Sequence, residues 1–246
     1  MGFLDKFFNN IIKHRKDTLL HMAVRTNDID VVRFFLNKES EGLCFSREDS
    51  SVSILNLFKE EDCEKYLSKK NREGYTPLHL AIKEKAQNEI VEELVKNMSK
   101  EDLNIKNDYG ETALHLAVSR RRFDVAKLLI RNGADIEMKD KYSKTIIHDV
   151  VKTGNQDMLE FLLGNGVNLY SEDSNGRIPS DRAFGYLKSA RSYVPGNELE
   201  QEEKDKKVKI REKIVDMLDK HMKENLPREH SMDRLKSKNG IAYREW

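Results

Sequence analysis

The sequence predicts an all-α fold, a solenoid of stacked helix-turn-helix repeats with a further helix at each end. Three observations indicate this class. A histidine-centred motif recurs along the chain at a nearly constant interval, and an apolar segment with helical periodicity follows it. Charged residues make up 35% of the 246 residues and hydrophobic residues 38%. This composition fits an elongated array with a thin core better than a sphere.

The recurring motif places a histidine three residues after a threonine. Its four copies are centred on His21, His79, His115 and His148. A fifth segment, Ile178–Ala183, aligns with them but has Asp181 in place of the histidine. From His79 onward the motif returns about every 33 residues, which is the length of one helix pair with its connecting loops.

The interval between His21 and His79 is too long for one repeat and leaves two interpretations open. Ser53–Phe58 lies in the register of the motif, which predicts a degenerate, shortened repeat near residues 46–71. An irregular insertion between residues 42 and 71 is the alternative.

The copy that begins at Thr112 shows why each repeat predicts two helices. Thr112 is the expected N-cap of the first helix, because its side-chain oxygen can accept a hydrogen bond from the first turn. Leu114 supplies the apolar side of that helix, while Val125 and Leu129 recur at helical spacing in the second. Gly133 suits the left-handed residue that ends a helix. Since one such pair cannot bury its apolar face alone, neighbouring pairs are expected to stack.

The motif resembles the ankyrin repeat, whose signature is T-P-L-H-x-A. Residues 109–140, YGETALHLAVSRRRFDVAKLLIRNGADIEMKD, are the closest match, and the resemblance covers about residues 16–183 as five to six repeats. It implies a concave face of hairpin tips and first helices that binds protein partners. It also implies that each histidine ties its helix to neighbouring backbone and does not bind a metal.

Residues 1–15 predict an amphipathic helix that caps the first repeat, because the apolar residues of residues 3–12 fall on one helical stripe. A membrane-surface or partner-binding helix is the alternative, since the basic cluster Lys13–Lys16 lies beside it.

At the other end, residues 184–226 predict an atypical cap with a long charged helix that begins near Leu199 and ends before Pro227. Residues 227–246 form a polar tail. It is expected to be mobile, although Tyr243 and Trp246 could dock or form a short linear motif.

Composition and motifs argue against several classes of function. The net charge of +1 gives no electrostatic reason to expect a nucleic-acid partner. The chain has no P-loop, GxGxxG, HExxH, GxSxG or EF-hand sequence, so we expect no enzyme activity, cofactor, metal or small-molecule substrate. Only two cysteines are present, Cys44 and Cys63, and no apolar run is long enough to span a membrane. These features predict a cytoplasmic protein.

The expected binding surface consists of the hairpin-tip and first-helix positions that the resemblance places on the concave face. The candidate residues are Arg72, Tyr75, Lys83, Tyr109, Glu111, Arg120, Tyr142, Lys144 and Lys152. Tyrosine and arginine are enriched among interface hot spots. The basic residues between Lys83 and Lys152 predict an acidic or phosphorylated protein segment as ligand. Alternatively, the tyrosines pack along their own hairpins and Arg120–Arg122 complements the helix dipole.

The leading functional hypothesis is a non-enzymatic protein-interaction module that acts as an adaptor, scaffold or inhibitor. One alternative is a membrane-peripheral adaptor, or an effector delivered by a bacterium or virus, that uses the Phe/Ile-rich N-terminal helix. A less favoured alternative is an enzyme-linked regulator with its chemistry in the C-terminal region.

Overall fold

The structure, a computed structural model, describes residues 17–36 and 67–225. These residues form eleven helices and no strand, which confirms the all-α class. In chain order the helices are α1 (Leu19–Thr26), α2 (Ile29–Leu36), α3 (Pro77–Lys83), α4 (Asn88–Lys96), α5 (Lys100–Leu103), α6 (Ala113–Ser119), α7 (Phe123–Arg131), α8 (Ile146–Thr153), α9 (Gln156–Gly164), α10 (Pro179–Ser192) and α11 (Glu198–Glu224). No described helix is long and apolar enough to cross a membrane.

Ten of these helices form five stacked layers, and α5 is a single turn after α4. The first helices α1, α3, α6, α8 and α10 pack on one another in chain order. The second helices α2, α4, α7, α9 and α11 do the same beside them. Side chains such as Leu78, Ile90, Leu114 and Leu159 are fully buried between layers, so one apolar core runs along the stack.

The histidines join each layer to the next. In all four motifs the threonine N–H donates to the histidine Nδ1 over 3.2–3.3 Å, and the threonine hydroxyl lies 2.7–3.1 Å from the same nitrogen. The histidine Nε2 lies 2.7–3.3 Å from a backbone carbonyl of the following layer. Because a carbonyl only accepts, Nε2 carries the proton and Nδ1 is the acceptor. The prediction that these histidines tie their helices to neighbouring backbone is therefore confirmed.

The fifth layer lacks the histidine but keeps half of this arrangement. The Asp181 carboxylate occupies the histidine position and accepts from the Ile178 N–H over 3.1 Å. A carboxylate can accept at this N-cap but has no donor for a carbonyl beyond it, and within the described residues no layer follows.

The first layer stacks directly on the layer that begins at Thr76. Helix α1 packs on α3 and α2 packs on α4. His21 contacts the Tyr75 carbonyl at 2.7 Å, just as His79 contacts Glu111 in the next layer. These two layers are therefore in direct contact, and the degenerate repeat expected near residues 46–71 stays a prediction. Residues 37–66 lie outside the described residues.

The last layer differs in length from the others. Helix α10 is continuous from Pro179 to Ser192, so the boundary expected between residues 183 and 184 falls inside it. Helix α11 begins at Glu198, close to the expected Leu199, and buries Ile214, Leu218 and Met222. The predicted N-terminal helix and polar tail lie outside the described residues.

Leu114→Ala is expected to lower the free energy of unfolding by about 2–5 kcal/mol, because the side chain is fully buried between layers. Urea unfolding followed by circular dichroism measures the change. Val194→Ala is the control, since Val194 is 84% exposed and should change stability by less than about 0.5 kcal/mol. Equal midpoints for the two variants would show that the helix register is wrong.

Acid should weaken the stack through its histidines. Burial lowers the pKa values of His21 and His148 and lowers that of His79 to about 4. These histidines bind protons more readily in the unfolded chain than in the folded one. The free energy of unfolding should therefore decrease as the pH is lowered from about 6.5 to about 4.

Urea unfolding at several pH values in this range measures how steeply the free energy of unfolding changes with pH. His79→Asn should be less stable at pH 7 yet show a shallower slope, since Asn does not titrate. If the free energy of unfolding of that variant depended on pH as steeply as that of the wild type, His79 would not contribute to the pH dependence.

Candidate partner-binding groove

Five-residue loops connect the layers and place the tip residues. Each loop begins with Asn or Asp, whose Oδ1 accepts from the N–H groups of the third and fifth loop residues over 2.7–3.2 Å. The loops cover residues 71–75, 107–111, 140–144 and 173–177. The fifth residue's carbonyl accepts from the first residue's N–H and also faces the histidine of the preceding layer. The loop backbone is therefore set, and its side chains are free to vary.

Exposure along these loops follows position. The second and third residues are exposed in all four loops. The fifth residue lies against its first helix and is buried at Tyr75, half-buried at Glu111 and Lys144, and exposed at Arg177 in the last layer. Ser119, Arg120 and Lys152 are exposed on the first helices.

The three candidate tyrosines differ in exposure because they occupy different loop positions. Tyr109 and Tyr142 are third residues and are each 50% exposed. Tyr75 is a fifth residue and is buried, with its ring centroid 6.4 Å from that of Tyr109. Tyr75 is therefore covered by its neighbours, as expected if the tyrosines pack along their own hairpins. Aligning the loops by their first Asn or Asp would have separated it from the other two.

Lysines and tyrosines alternate along the tips. The Lys83 ammonium lies 4.5 Å from the Tyr75 ring centroid. Lys141 lies 5.0 and 5.1 Å from the Tyr109 and Tyr142 rings, and Lys144 lies 5.0 Å from Tyr142. These distances are in the cation–π range. Lys141 was not among the residues selected from the sequence, although its place beside two exposed rings makes it central here.

Some charged residues of the tips and helices form ion pairs and others do not. Three acidic residues of the first layers are paired: Glu73 with Lys83 at 2.5 Å, Glu84 with Arg25 at 3.5 Å and Asp108 with Lys70 at 3.8 Å. The later layers carry cations that form no ion pair with another described residue: Arg120, Lys141, Lys144, Lys152 and Arg177. We call these five residues with Tyr109 and Tyr142 the groove. Its net charge is positive.

The other sequence candidates occupy different surroundings. Arg72 is an exposed second loop residue. Lys83 is engaged by Glu73 and Tyr75. The Glu111 carboxylate accepts from the Asn107 amide over 3.0 Å. The structure therefore does not bring all nine candidates together as one free surface.

The run Arg120–Arg122 contains three different environments. Arg120 is an exposed member of the groove. Arg121 has a φ of 60°, a left-handed conformation that favours glycine. Arg122 donates to the carbonyls of Ala81 and Ala86 over 3.1 and 2.7 Å, and burial lowers its pKa. Arg122 thus joins two layers, whereas Arg120 and Arg121 are exposed.

Asp149 is a half-buried carboxylate that sequence reasoning missed. It follows His148 on α8 and, within the described residues, forms neither a hydrogen bond nor an ion pair. Burial raises its pKa, against the opposing effect of His115, Lys144 and Lys152. Its equivalents Leu80 and Leu116 are buried and apolar. Comparison of the aligned repeats could have found it.

The described chain has cavities lined by residues outside the groove, and no candidate metal centre. No cluster of three or more His, Cys, Asp or Glu side chains that could hold a metal occurs in it. A cavity of about 420 Å³ is lined by residues that include Arg121, Phe123 and Asn155. A smaller cavity of about 110 Å³ between α10 and α11 is lined by residues that include Tyr193, Glu200 and Lys204.

A stack of helix pairs that presents its loops and first helices on one continuous face defines a repeat protein. A family model described as ankyrin repeats (3 copies) matches residues 3–97, 43–140 and 85–175. The chain therefore belongs to the ankyrin repeat family. Membership indicates a protein–protein interaction module, whose partners are proteins.

Three relatives show similarity to parts of the chain. "Probable 26S proteasome regulatory subunit p28" of Saccharomyces cerevisiae is 29% identical over 127 residues, 47% of this chain and 55% of the relative. A protein of Rickettsia bellii described as an ankyrin repeat protein is 39% identical over 74 residues, 28% of this chain and 44% of the relative. One from fowlpox virus, described likewise, is 30% identical over 121 residues, 49% of this chain and 16% of the relative.

The chain thus spans about half the length of the first two of these relatives.

Single substitutions in the arginine run should separate its three environments. Arg122→Ala should lower the free energy of unfolding by about 1–3 kcal/mol, because three interlayer hydrogen bonds are lost, to the Ala81 and Ala86 carbonyls and the Asn88 side chain. Arg120→Ala should change it by less than about 0.5 kcal/mol. Arg121→Gly should leave it unchanged or raise it by up to about 1 kcal/mol, since glycine relieves the left-handed backbone. Urea unfolding of the three variants measures these differences, and equal effects would refute the assignment.

Proposed function

We propose that the chain is a non-enzymatic adaptor, scaffold or inhibitor that binds an acidic or phosphorylated segment of a partner protein in the groove. The observation that carries the proposal is the set of unpaired cations beside Tyr109 and Tyr142 in the third to fifth layers. Interface tyrosines supply rigid contact area, and complementary charge speeds and orients association.

We expect a negatively charged partner segment, because the cations of the groove form no ion pair with another described residue. Acidic tip residues of the earlier layers already have lysine or arginine partners. Lys141 and Lys144 lie beside tyrosine rings and form no ion pair with another described residue, so a carboxylate or phosphate could approach without displacing one. Such an anion would complete charge-assisted hydrogen bonds.

Membership of the ankyrin repeat family supports the non-enzymatic function, because it indicates a protein–protein interaction module. Two cysteines in the whole chain suit a reducing compartment, and we place the function in the cytoplasm. The yeast relative, named as a proteasome regulatory subunit, supports a role as a binding component of a larger assembly.

Fluorescence anisotropy with a labelled 12-residue peptide of Glu, Asp and Gly tests the groove. The combined variant Lys141→Gln, Lys144→Gln, Lys152→Gln should bind it at least about tenfold more weakly, which corresponds to about 1.4 kcal/mol. The control is Lys188→Gln, Lys209→Gln, Lys213→Gln, which removes the same charge from exposed positions outside the groove.

The control variant should bind like the wild type. Equal weakening of both variants would show that net charge, and not the groove, attracts the peptide. A second peptide with one phosphoserine distinguishes phosphate from carboxylate as the preferred anion.

A further inference from the structure

At one position of the first helix, the residue is apolar in some layers and charged in others. Directly after the motif histidine, the earlier layers have Met22, Leu80 and Leu116, all of them buried. The fourth layer has Asp149 and the fifth has Arg182. An apolar residue satisfies this position in three layers, so the two charged residues require separate explanations.

Arg182 has a structural explanation. Its guanidinium pairs with Asp173, whose side chain is fully buried. Burial alone would raise the pKa of Asp173. The N–H groups of Asn175 and Arg177 and the Arg182 guanidinium outweigh it and lower the pKa. This pair stabilises the last loop.

Asp149 has no such explanation. The side chain is half-buried, yet no described residue donates a hydrogen bond to it or pairs with it. A half-buried carboxylate without a hydrogen-bond partner gives up part of its hydration, a cost that the leucines of the earlier layers avoid. No contact among the described residues therefore requires a carboxylate at this position.

The helix geometry places Asp149 in the groove. Residues three and four apart on a helix share a face, so Asp149 lies above Lys152 and Thr153. Lys152 is an exposed member of the groove, and Lys144 lies in the loop that enters the same helix. Asp149 is thus an anion close to the cations Lys144 and Lys152. His115 and Asp140 are the other charged or titratable neighbours that act on it.

We propose that Asp149 is a specificity-determining residue that accepts hydrogen bonds from one arginine or lysine within the partner's acidic segment. This inference rests on the proposed function of the groove. The flanking lysines attract the acidic residues, while Asp149 selects a basic residue among them. Arginine suits the position best, because its planar guanidinium can form two parallel hydrogen bonds with one carboxylate.

This arrangement gives discrimination as well as attraction. A uniformly acidic segment would bring a carboxylate close to Asp149, and like charges repel. A segment with one basic residue in register relieves that repulsion and pairs the buried carboxylate. The groove then distinguishes its partner from acidic chains in general.

Two labelled 12-residue peptides test the proposal. Both consist of Glu, Asp and Gly, but one has Arg and the other Gln at a central position. The wild-type chain should bind the Arg peptide at least fivefold more tightly than the Gln peptide in anisotropy titrations. Asp149→Asn and Asp149→Leu should bind the two peptides equally within about twofold.

Three controls separate recognition from folding and from net charge. Asp149→Leu should unfold at or above the wild-type temperature, since leucine fills the same position in two other layers. Asp157→Asn removes one negative charge from an exposed residue outside the groove and should keep the preference for Arg. Lys152→Gln should weaken both peptides by a similar factor.

The outcomes separate the two proposals. An Arg preference that persists in both Asp149 variants, or is absent in the wild type, overturns the role of Asp149 while binding of the Gln peptide upholds the groove. Failure of the wild type to bind either peptide overturns the groove and, with it, the role of Asp149.

Discussion

The stack depends on the hydrogen bond from each motif histidine to a carbonyl of the next layer. The bond requires a neutral imidazole with its proton on Nε2, because Nδ1 must accept from the threonine that caps the same helix. One side chain therefore helps to cap the start of its helix and holds the loop that leads into the next layer. Burial keeps the imidazole neutral, most clearly at His79, whose pKa is lowered to about 4.

The same bond supports the surface that we propose for partner binding. Because loop backbone groups are occupied by the Asn or Asp side chain and by the histidine, the loop keeps its shape whatever its second and third residues are. Tyr109, Lys141 and Tyr142 can therefore serve a partner without weakening the fold. The fifth loop residue has less freedom, since its side chain lies against the helix, and Tyr75 is buried for this reason.

Nearest-neighbour stacking also explains how the chain accommodates irregular parts. Each layer contacts only the layers beside it, so residues can be added between two layers if the interlayer contacts remain. The His21 bond to Tyr75 remains, although thirty-odd residues lie between α2 and Asn71 in the sequence. At the other end α10 continues to Ser192 and α11 to Glu224, because within the described residues no further layer limits their length.

The sequence by itself determined the helix pairs and their threonine caps, because these depend on residues three or four apart. The bond from each histidine to the next layer joins residues 29–54 positions apart, and only the resemblance of the motif to the ankyrin repeat predicted it. The sequence also identified Tyr109, Tyr142 and the lysines as surface candidates. Only the tertiary structure decided which of them are paired, because pairing joins residues that are distant in sequence. Arg122 reaches Ala81, Lys83 engages Glu73, and Asp149 has no hydrogen-bond or ion-pair partner among the described residues.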